Sequence, residues 1–191
     1  LRLLRSHGID RVVLCIGHFG SNIQKYLADN PEPGMHIQYS LDGPTLLGTA
    51  GALRRALPLL GDRFFVVYGD SYLPCDYQAV GSAHQRSGRE ALMTVFRNDG
   101  MWEQSNVEYA NGKILAYDKK IRNARMNHVD YGLGVFSLAA FQRVPPETVF
   151  DLASLYQMLL ADSQLAAFEV AERFYEIGSI EGLADLSERL S

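Results

Sequence analysis

The sequence predicts an α/β protein with a Rossmann-like, mostly parallel sheet flanked by helices and a small β-hairpin lid. Short β-rich runs alternate with helical patterns, and glycine- or proline-rich turns separate them. Such alternation is typical of the right-handed crossovers that build parallel sheets. Because the chain has 191 residues, 47% of them hydrophobic, we expect a single domain over 1–191.

The opening elements form the first strand–helix–strand unit. Residues 1–7 predict a helix that ends at Gly8, and residues 11–16 form a β-branched run that predicts a buried strand. Ser21 is expected to cap the next helix, and residues 35–40 predict another strand. The apolar positions of this helix are Ile23, Tyr26 and Leu27.

The chain is organised around residues 47–76. A small-residue turn over residues 48–52 is predicted to lead into a helix. Aromatic and β-branched residues over 64–68 then predict a buried strand that stops at Gly69 and Asp70. The apolar face of the helix is expected to comprise Leu53, Ala56, Leu57 and Leu60. This pattern places a carboxylate directly after a strand.

The later elements mix hairpin, strand and helix patterns. Asn111 and Gly112 separate two β-rich runs and predict a hairpin. The strand pattern over 129–136 contains two glycines, which could let a sugar lie against the backbone or serve only tight packing or a bulge. The other predicted elements are a helix over 77–87, a strand over 91–96, a helix over 151–162 with apolar Leu152, Leu155, Met158 and Leu159, a strand over 165–170, and a helix from Ser179 to Leu190.

Composition and charge argue against several classes of partner. The formal net charge of -4 disfavours a nucleic-acid or anionic-membrane surface, because both need clustered lysine and arginine. No apolar run approaches the roughly 20 residues of a membrane span. Cys15 and Cys75 lack the spacing of a zinc or redox motif, so we interpret them as free thiols and expect a reducing cytoplasm.

Charged residues lie beside two of the predicted strands. Asp70 follows one strand, and Glu176 precedes a glycine turn near the C-terminus. A carboxylate at the carboxyl end of a strand can hold Mg²⁺ against a phosphate, although Gly-Asp after a strand is also an ordinary turn. Lys119 and Lys120 follow the hairpin and could hold a phosphate as point charges or be merely solvated.

Five ordered segments resemble the sugar-1-phosphate nucleotidyltransferase family, which makes sugar nucleotides from a nucleoside triphosphate and a sugar 1-phosphate. They are LLGTAGAL, FFVVYGD, the hairpin ending YDKK, DYGLGVF and FYEIGS, and they span essentially the whole chain. The resemblance implies an Mg²⁺-dependent enzyme in which a sugar 1-phosphate oxygen attacks the α-phosphorus and expels pyrophosphate. The LGTA segment is slightly closer to mannose- and heptose-type guanylyltransferases, which implies GTP.

The resemblance also implies roles for individual residues. Asp70 is implied as the catalytic metal ligand, joined by Glu176, which stands where the family has aspartate. Lys120 is implied to contact the sugar phosphate, with Lys119 as the register alternative, and Ile121 replaces the family's proline. The implied nucleotide contacts are Gly48, Thr49, Ala50 and Gly69, and the implied sugar contacts are Asp130 and Gly132.

One family segment has no counterpart in this sequence. Family members begin with a strand and a glycine-rich loop that carries an arginine, followed by a Pro-Lys-Pro lysine. The opening residues here resemble the stretch that comes directly after that lysine in family members. The resemblance therefore implies about 30 further N-terminal residues.

Three alternatives stay open beside this interpretation. The first is a same-fold enzyme with another phosphorylated acceptor, such as phosphocholine. The second is a catalytically inactive regulatory subunit that binds a sugar nucleotide. The third, a dinucleotide-binding domain, is disfavoured because no G-x-G-x-x-G motif occurs. Apolar residues of the last helix could also face a second subunit of a homo-oligomer.

Overall fold

The computed structural model describes residues 1–101 and 104–190. The described chain forms two compact units. The first unit comprises Leu1–Arg63 and Leu138–Leu155, and the second comprises Phe64–Ser137 and the described residues from Tyr156 onward. Each unit has its own strand pairing.

The first unit contains a two-stranded parallel sheet. Strands β1 (Arg11–Ile16) and β2 (His36–Leu41) pair in register along their whole length. Both strands lie where the sequence predicted them. Parallel neighbours need a crossover connection, and a helix supplies it here. The helices of the unit are α1 (Arg2–Ser6), α2 (Gly20–Asp29) and α3 (Gly48–Ala56), and its 3₁₀ segments are Leu57–Leu59 and Leu138–Arg143.

Helix α2 begins earlier than predicted, and Ser21 is not its cap. The helix starts at Gly20 after Phe19, whose backbone is left-handed with φ of 62°. A Cβ on Gly20 would lie 3.2 Å from the side chain of Ile16. The helix therefore begins against the end of β1, where a glycine allows close approach. Two of the three expected apolar positions are exposed, Ile23 and Tyr26.

The predicted small-residue turn is the first part of helix α3. No side chain caps this helix, and the amides of Ala50 and Gly51 instead donate to the carbonyl of Phe150 at 2.9 and 3.1 Å. The first amides of a helix need such acceptors, and this acceptor is distant in sequence. The buried positions of α3 are small residues, Ala50, Gly51, Ala52 and Ala56. Of the expected face, Ala56 is buried as predicted, whereas Leu53, Leu57 and Leu60 are only partly buried. Leu57 and Leu60 also lie beyond the end of α3, whose close packing selects small side chains.

The second unit contains a six-stranded sheet and a separate two-stranded ribbon. Its strands are β3 (Arg63–Val67), β4 (Ser71–Tyr72), β5 (Ala91–Arg97), β6 (Val107–Ala110), β7 (Lys113–Tyr117), β8 (His128–Ser137), β9 (Leu165–Val170) and β10 (Tyr175–Glu176), and its helices are α4 (Tyr77–Ser87), α5 (Leu152–Ala161), which begins in the first unit, and α6 (Ile180–Leu190). The paired order is β7-β6-β8-β5-β9, with β3 also paired to β8. Strand β5 is parallel to β9 and antiparallel to β8.

The core of the second unit lies along β5. Leu92, Met93 and Val95 have no exposed surface, as expected for a strand flanked on both sides by others and covered on both faces. Helix α5 buries Leu159 fully, whereas Met158 is exposed. The helix was thus predicted in place, and Leu152 and Leu155 are buried as expected. Ala153 and Tyr156 are buried as well, so the buried face is wider than the predicted leucine positions.

The predicted hairpin is confirmed. Asn111 and Gly112 have φ values of 52° and 76° between β6 and β7, as a two-residue turn of the primed type requires. Strand β6 also pairs with β8, so the hairpin continues the sheet at its edge. Its role as a lid stays a prediction. Among the described residues, every helix is too short or too polar to cross a membrane.

Candidate active site

Two predicted metal ligands lie at the same end of the β4–β10 ribbon. Glu176 is opposite Ser71 in register, and the amide of Ile177 donates to the carbonyl of Asp70 at 2.8 Å. Asp70 and Glu176 are both exposed. A Cβ on Gly178 would lie 3.8 Å from Asp70 Oδ2, so the glycine turn passes beside that carboxylate.

This ribbon fits a hard cation by the chemistry of its donors. Carboxylate oxygens are the ligands that Mg²⁺ prefers, and Mg²⁺ usually takes only one or two of them while keeping waters and phosphate oxygens. Asp70 and Glu176 supply two such groups. In the described part of the chain, no group of three or more histidine, cysteine, aspartate or glutamate residues could hold a metal.

A bulge in β8 gives Gly132 its special backbone. Val95 pairs with Asp130 and Met93 pairs with Gly134, so three residues of β8 are opposite Thr94 alone. The Thr94 hydroxyl donates to the Leu133 carbonyl at 2.6 Å and closes the bulge. Gly132 has φ of +93°, a conformation that other residues rarely adopt. The sequence left open whether the glycines of this strand contact a sugar, allow tight packing or form a bulge, and at Gly132 the structure shows a bulge.

Both oxygens of Asp130 are held within the protein. Oδ1 accepts the amide of Gly132 at 3.1 Å, and Oδ2 accepts the hydroxyl of Tyr117 at 3.2 Å. The amide of Asp130 donates to Asn106 Oδ1 at 3.0 Å. This carboxylate therefore maintains the bulge, and its predicted contact with a sugar stays a prediction.

Tyr68 lies where several of the predicted residues meet. Lys119 Nζ lies 5.8 Å from the centroid of the Tyr68 ring, and a Cβ on Gly132 would lie 3.8 Å from that ring. The Tyr68 carbonyl accepts the amide of Ser71 at 3.2 Å, which closes the turn that contains Gly69 and Asp70. Sequence reasoning missed Tyr68, and its only signal is an aromatic residue directly before the Gly-Asp pair.

The two candidate lysines differ in their surroundings. Both are exposed, but only Lys119 has a described contact with the Tyr68 ring. The amides of Ile121 and Lys120 donate to Asp118 Oδ1 at 2.8 and 2.7 Å. The hydrogen bond from Ile121, and after it the one from Lys120, holds the pKa of the Asp118 carboxyl below its usual range.

Two buried tyrosines, Tyr117 and Tyr156, pack near Asp130 and Gly134. Burial raises the pKa of Tyr156 well above its usual value, and the nearby Asp130 carboxylate adds to the effect. The Tyr117 and Tyr156 rings meet edge to face at 5.9 Å. A Cβ on Gly134 would overlap the Tyr156 hydroxyl and lie 2.7 Å from the Phe136 ring, so the second glycine of this strand serves tight packing.

The predicted nucleotide contacts Gly48, Thr49 and Ala50 lie in the first unit. The Thr49 hydroxyl donates to Asp151 Oδ1 at 2.9 Å and accepts the amide of Leu152 at 2.7 Å, so it caps the start of α5. Gly48 has φ of +69°, and a Cβ there would lie 2.8 Å from the Phe150 carbonyl oxygen. These groups hold α3 to residues 150–152, and contact with a nucleotide stays a prediction.

Known proteins resemble this chain along most of its length. No family model matches. A UTP–glucose-1-phosphate uridylyltransferase of Synechocystis is 27% identical over 94% of this chain and 51% of its own length. The mannose-1-phosphate guanylyltransferase catalytic subunit beta of Xenopus tropicalis is 24% identical over 90% of this chain and 49% of its own length. The chain thus spans about half the length of the curated relatives it matches.

Comparison with solved structures identifies the class of fold. HddC from Yersinia pseudotuberculosis, crystallised with GMP-PN, superposes with a TM-score of 0.82 at 16% identity, over all of this chain and 83% of its own. The predicted Rossmann-like α/β class, a sheet flanked by helices, is confirmed. The particular resemblance is to the sugar-1-phosphate nucleotidyltransferases, and the curated relatives confirm that resemblance.

Proposed function

We propose that the full-length protein transfers a nucleoside monophosphate from a nucleoside triphosphate to a sugar 1-phosphate and releases pyrophosphate. The observation that supports this most directly is the meeting at Tyr68 of a lysine, the Gly132 bulge and the turn that bears Asp70. A cation near Tyr68 and an exposed carboxylate on the turn that follows Tyr68 suit a reaction between two phosphate groups. Both units are proposed to serve as one nucleotidyltransferase domain.

The reaction needs charge neutralisation more than a base. A sugar 1-phosphate oxygen, already anionic, forms a bond to the α-phosphorus while the bond from that phosphorus to the pyrophosphate oxygen breaks. Catalysis then depends on positioning and on electrostatic stabilisation. Asp70 and Glu176 are the residues proposed to hold Mg²⁺, which when bound neutralises phosphate charge. Gly48, Thr49, Ala50 and Gly69 are proposed to face the nucleotide.

We propose Lys119 as the lysine that binds the sugar phosphate. The resemblance implied Lys120, with Lys119 as the register alternative. The contact between Lys119 and Tyr68 favours Lys119, because that ring also borders Gly132 and the Asp70 turn. An ammonium group held over an aromatic face keeps its charge and its three donors available.

The test is pyrophosphate release by the full-length protein with Mg²⁺, with four triphosphates screened against a panel of sugar 1-phosphates. We expect one productive pair, with GTP and mannose- or heptose-type phosphates as the first candidates. The same assay without added metal and with a chelator tests the Mg²⁺ requirement. If no pair gave pyrophosphate release while the protein still bound a sugar nucleotide, the result would instead support a regulatory subunit. A cytoplasmic location and a homo-oligomer stay predictions.

A further inference from the structure

Residues 118–127, here called the lysine loop, are fixed by contacts at their start. The amide of Asp118 donates to the Asn106 carbonyl at 3.0 Å, and Gln157 Nε2 donates to Asp118 Oδ2 at 3.3 Å. The guanidinium of Arg122 donates to the carbonyl of Lys119 at 3.2 Å. These bonds set the path of the backbone around Lys119.

A single buried carboxylate holds the far end of the lysine loop. Glu108 lies on β6, and its side chain is only 11% exposed. Its Oε2 accepts Asn123 Nδ2 at 3.2 Å, and its Oε1 pairs with Arg125 Nε at 2.8 Å. Asn123 Oδ1 in turn accepts the amide of Arg125 at 2.8 Å. Both oxygens of Glu108 therefore bind the same loop.

Burying this carboxylate is favourable only with such partners. A buried charge that lacks hydrogen bonds and an opposite charge destabilises a fold strongly. Strand β6 pairs with β7 and, at Val107, with β8, so Glu108 lies on a strand of the sheet and not on the loop that it binds. The contacts run from β6 through Asn123 and Arg125 into the loop that carries Lys119. A displaced loop would move the ammonium group while leaving the sheet in place.

We propose that Glu108 is a positioning residue, which holds the lysine loop through Asn123 and Arg125 so that Lys119 is set to bind the sugar phosphate. This inference rests on the proposed function and deepens it. Glu108 itself does not touch the substrate. Its contribution is to reduce the freedom of the loop before the sugar 1-phosphate binds, since preorganisation lowers the cost of binding.

Steady-state kinetics on the full-length protein tests this inference. In Glu108→Ala we expect the KM for the sugar 1-phosphate to rise about three- to tenfold, within the range of couplings in one hydrogen-bonded network. The KM for the triphosphate should not change. Arg125→Ala should show a smaller rise of the same kind. Glu108→Gln should be intermediate, because an amide oxygen still accepts from Asn123 but lacks the charge to pair with Arg125.

A matched control and a second background separate positioning from general loss of stability. Glu32 is a similar glutamate: its side chain is 12% exposed and pairs with Arg5 at 2.7 Å and Arg2 at 3.2 Å. Glu32→Ala should leave both KM values unchanged. In a Lys119→Ala background, Glu108→Ala should add no further rise in the KM for the sugar 1-phosphate. An equal rise in both backgrounds, or no rise in either, would overturn the inference.

Trypsin cleavage provides a readout that does not need activity. The lysine loop contains the cleavage sites Lys119, Lys120, Arg122 and Arg125. Cleavage within the loop should be several-fold faster in Glu108→Ala than in wild type or Glu32→Ala. Unchanged cleavage would contradict the inference even if wild type proved inactive. Faster cleavage in a protein that releases no pyrophosphate with any pair would support the loop contact and refute the proposed function alone.

Discussion

Asp70 is held by its main chain, while its side chain is exposed. The Ile177 amide fixes the Asp70 carbonyl, and the carboxylate accepts a long 3.5 Å hydrogen bond from Ser71 Oγ. Loss of the side chain should therefore not disturb the ribbon. Asp130 shows the opposite arrangement, because its two oxygens maintain the bulge around Gly132. Similar carboxylates thus have different uses in one unit.

Asp70→Ala should abolish pyrophosphate release and leave the fold intact. We expect a loss on the order of 100-fold or more in kcat, which is the size of effect seen when a group that stabilises the transition state is removed. The midpoint of thermal unfolding should match that of wild type. Asp29→Ala, at an exposed position in α2, is the matched control and should retain full turnover. Retained activity in Asp70→Ala would refute the metal assignment.

Lys119→Ala and Lys120→Ala distinguish the two registers. The Lys119 variant should raise the KM for the sugar 1-phosphate about tenfold or more, because a hydrogen bond to a charged group contributes roughly 1.5–3 kcal/mol. Lys120→Ala should have a small effect, and each variant controls for the other. Both values come from initial rates over a range of sugar 1-phosphate concentrations. The reverse order of effects would restore Lys120 as the sugar-phosphate lysine.

At the scale of elements, β8 combines a bulge with a tightly packed segment. The bulge at Gly132 lies beside the Tyr68 ring, whereas Gly134 allows Tyr156 to pack directly against the strand. The sequence showed two glycines in a strand but not which one serves which purpose. Only the partner strand β5 and the helix α5 distinguish them, and both are remote in sequence.

Gly134→Ala should destabilise the protein by about 1–3 kcal/mol, because the added methyl overlaps the Tyr156 hydroxyl in a closely packed core. Chemical denaturation monitored by fluorescence measures the change in the free energy of unfolding. Gly61→Ala is the control, since its Cβ would meet nothing closer than the Arg63 carbonyl at 3.8 Å. Equal stability of the two variants would show that the strand yields at Gly134.

At the scale of the whole molecule, the sequence predicted the features that depend on residues close together in the chain. The alternation of strands and helices, the Asn111–Gly112 hairpin and the start of α6 beside Ser179 all depend on short-range chemistry. The structure adds that Ser179 Oγ accepts the Gly182 amide at 2.9 Å and so caps α6. The start of α3 and the contact of Lys119 with Tyr68 depend on residues far apart in the chain. Periodicity alone therefore could not supply them.

The Thr49 cap has a consequence for how relatives diverge. Thr49 and its small neighbours hold the start of α5 whether or not a nucleotide ever binds there. A relative without catalytic activity would still need the same contacts to fold. The exposed Asp70 carboxylate makes no comparable contribution to folding, so substitutions at position 70 would be tolerated in such a relative. We therefore expect the residue at position 70, rather than the presence of an LGTA segment, to distinguish catalytically active relatives from inactive ones.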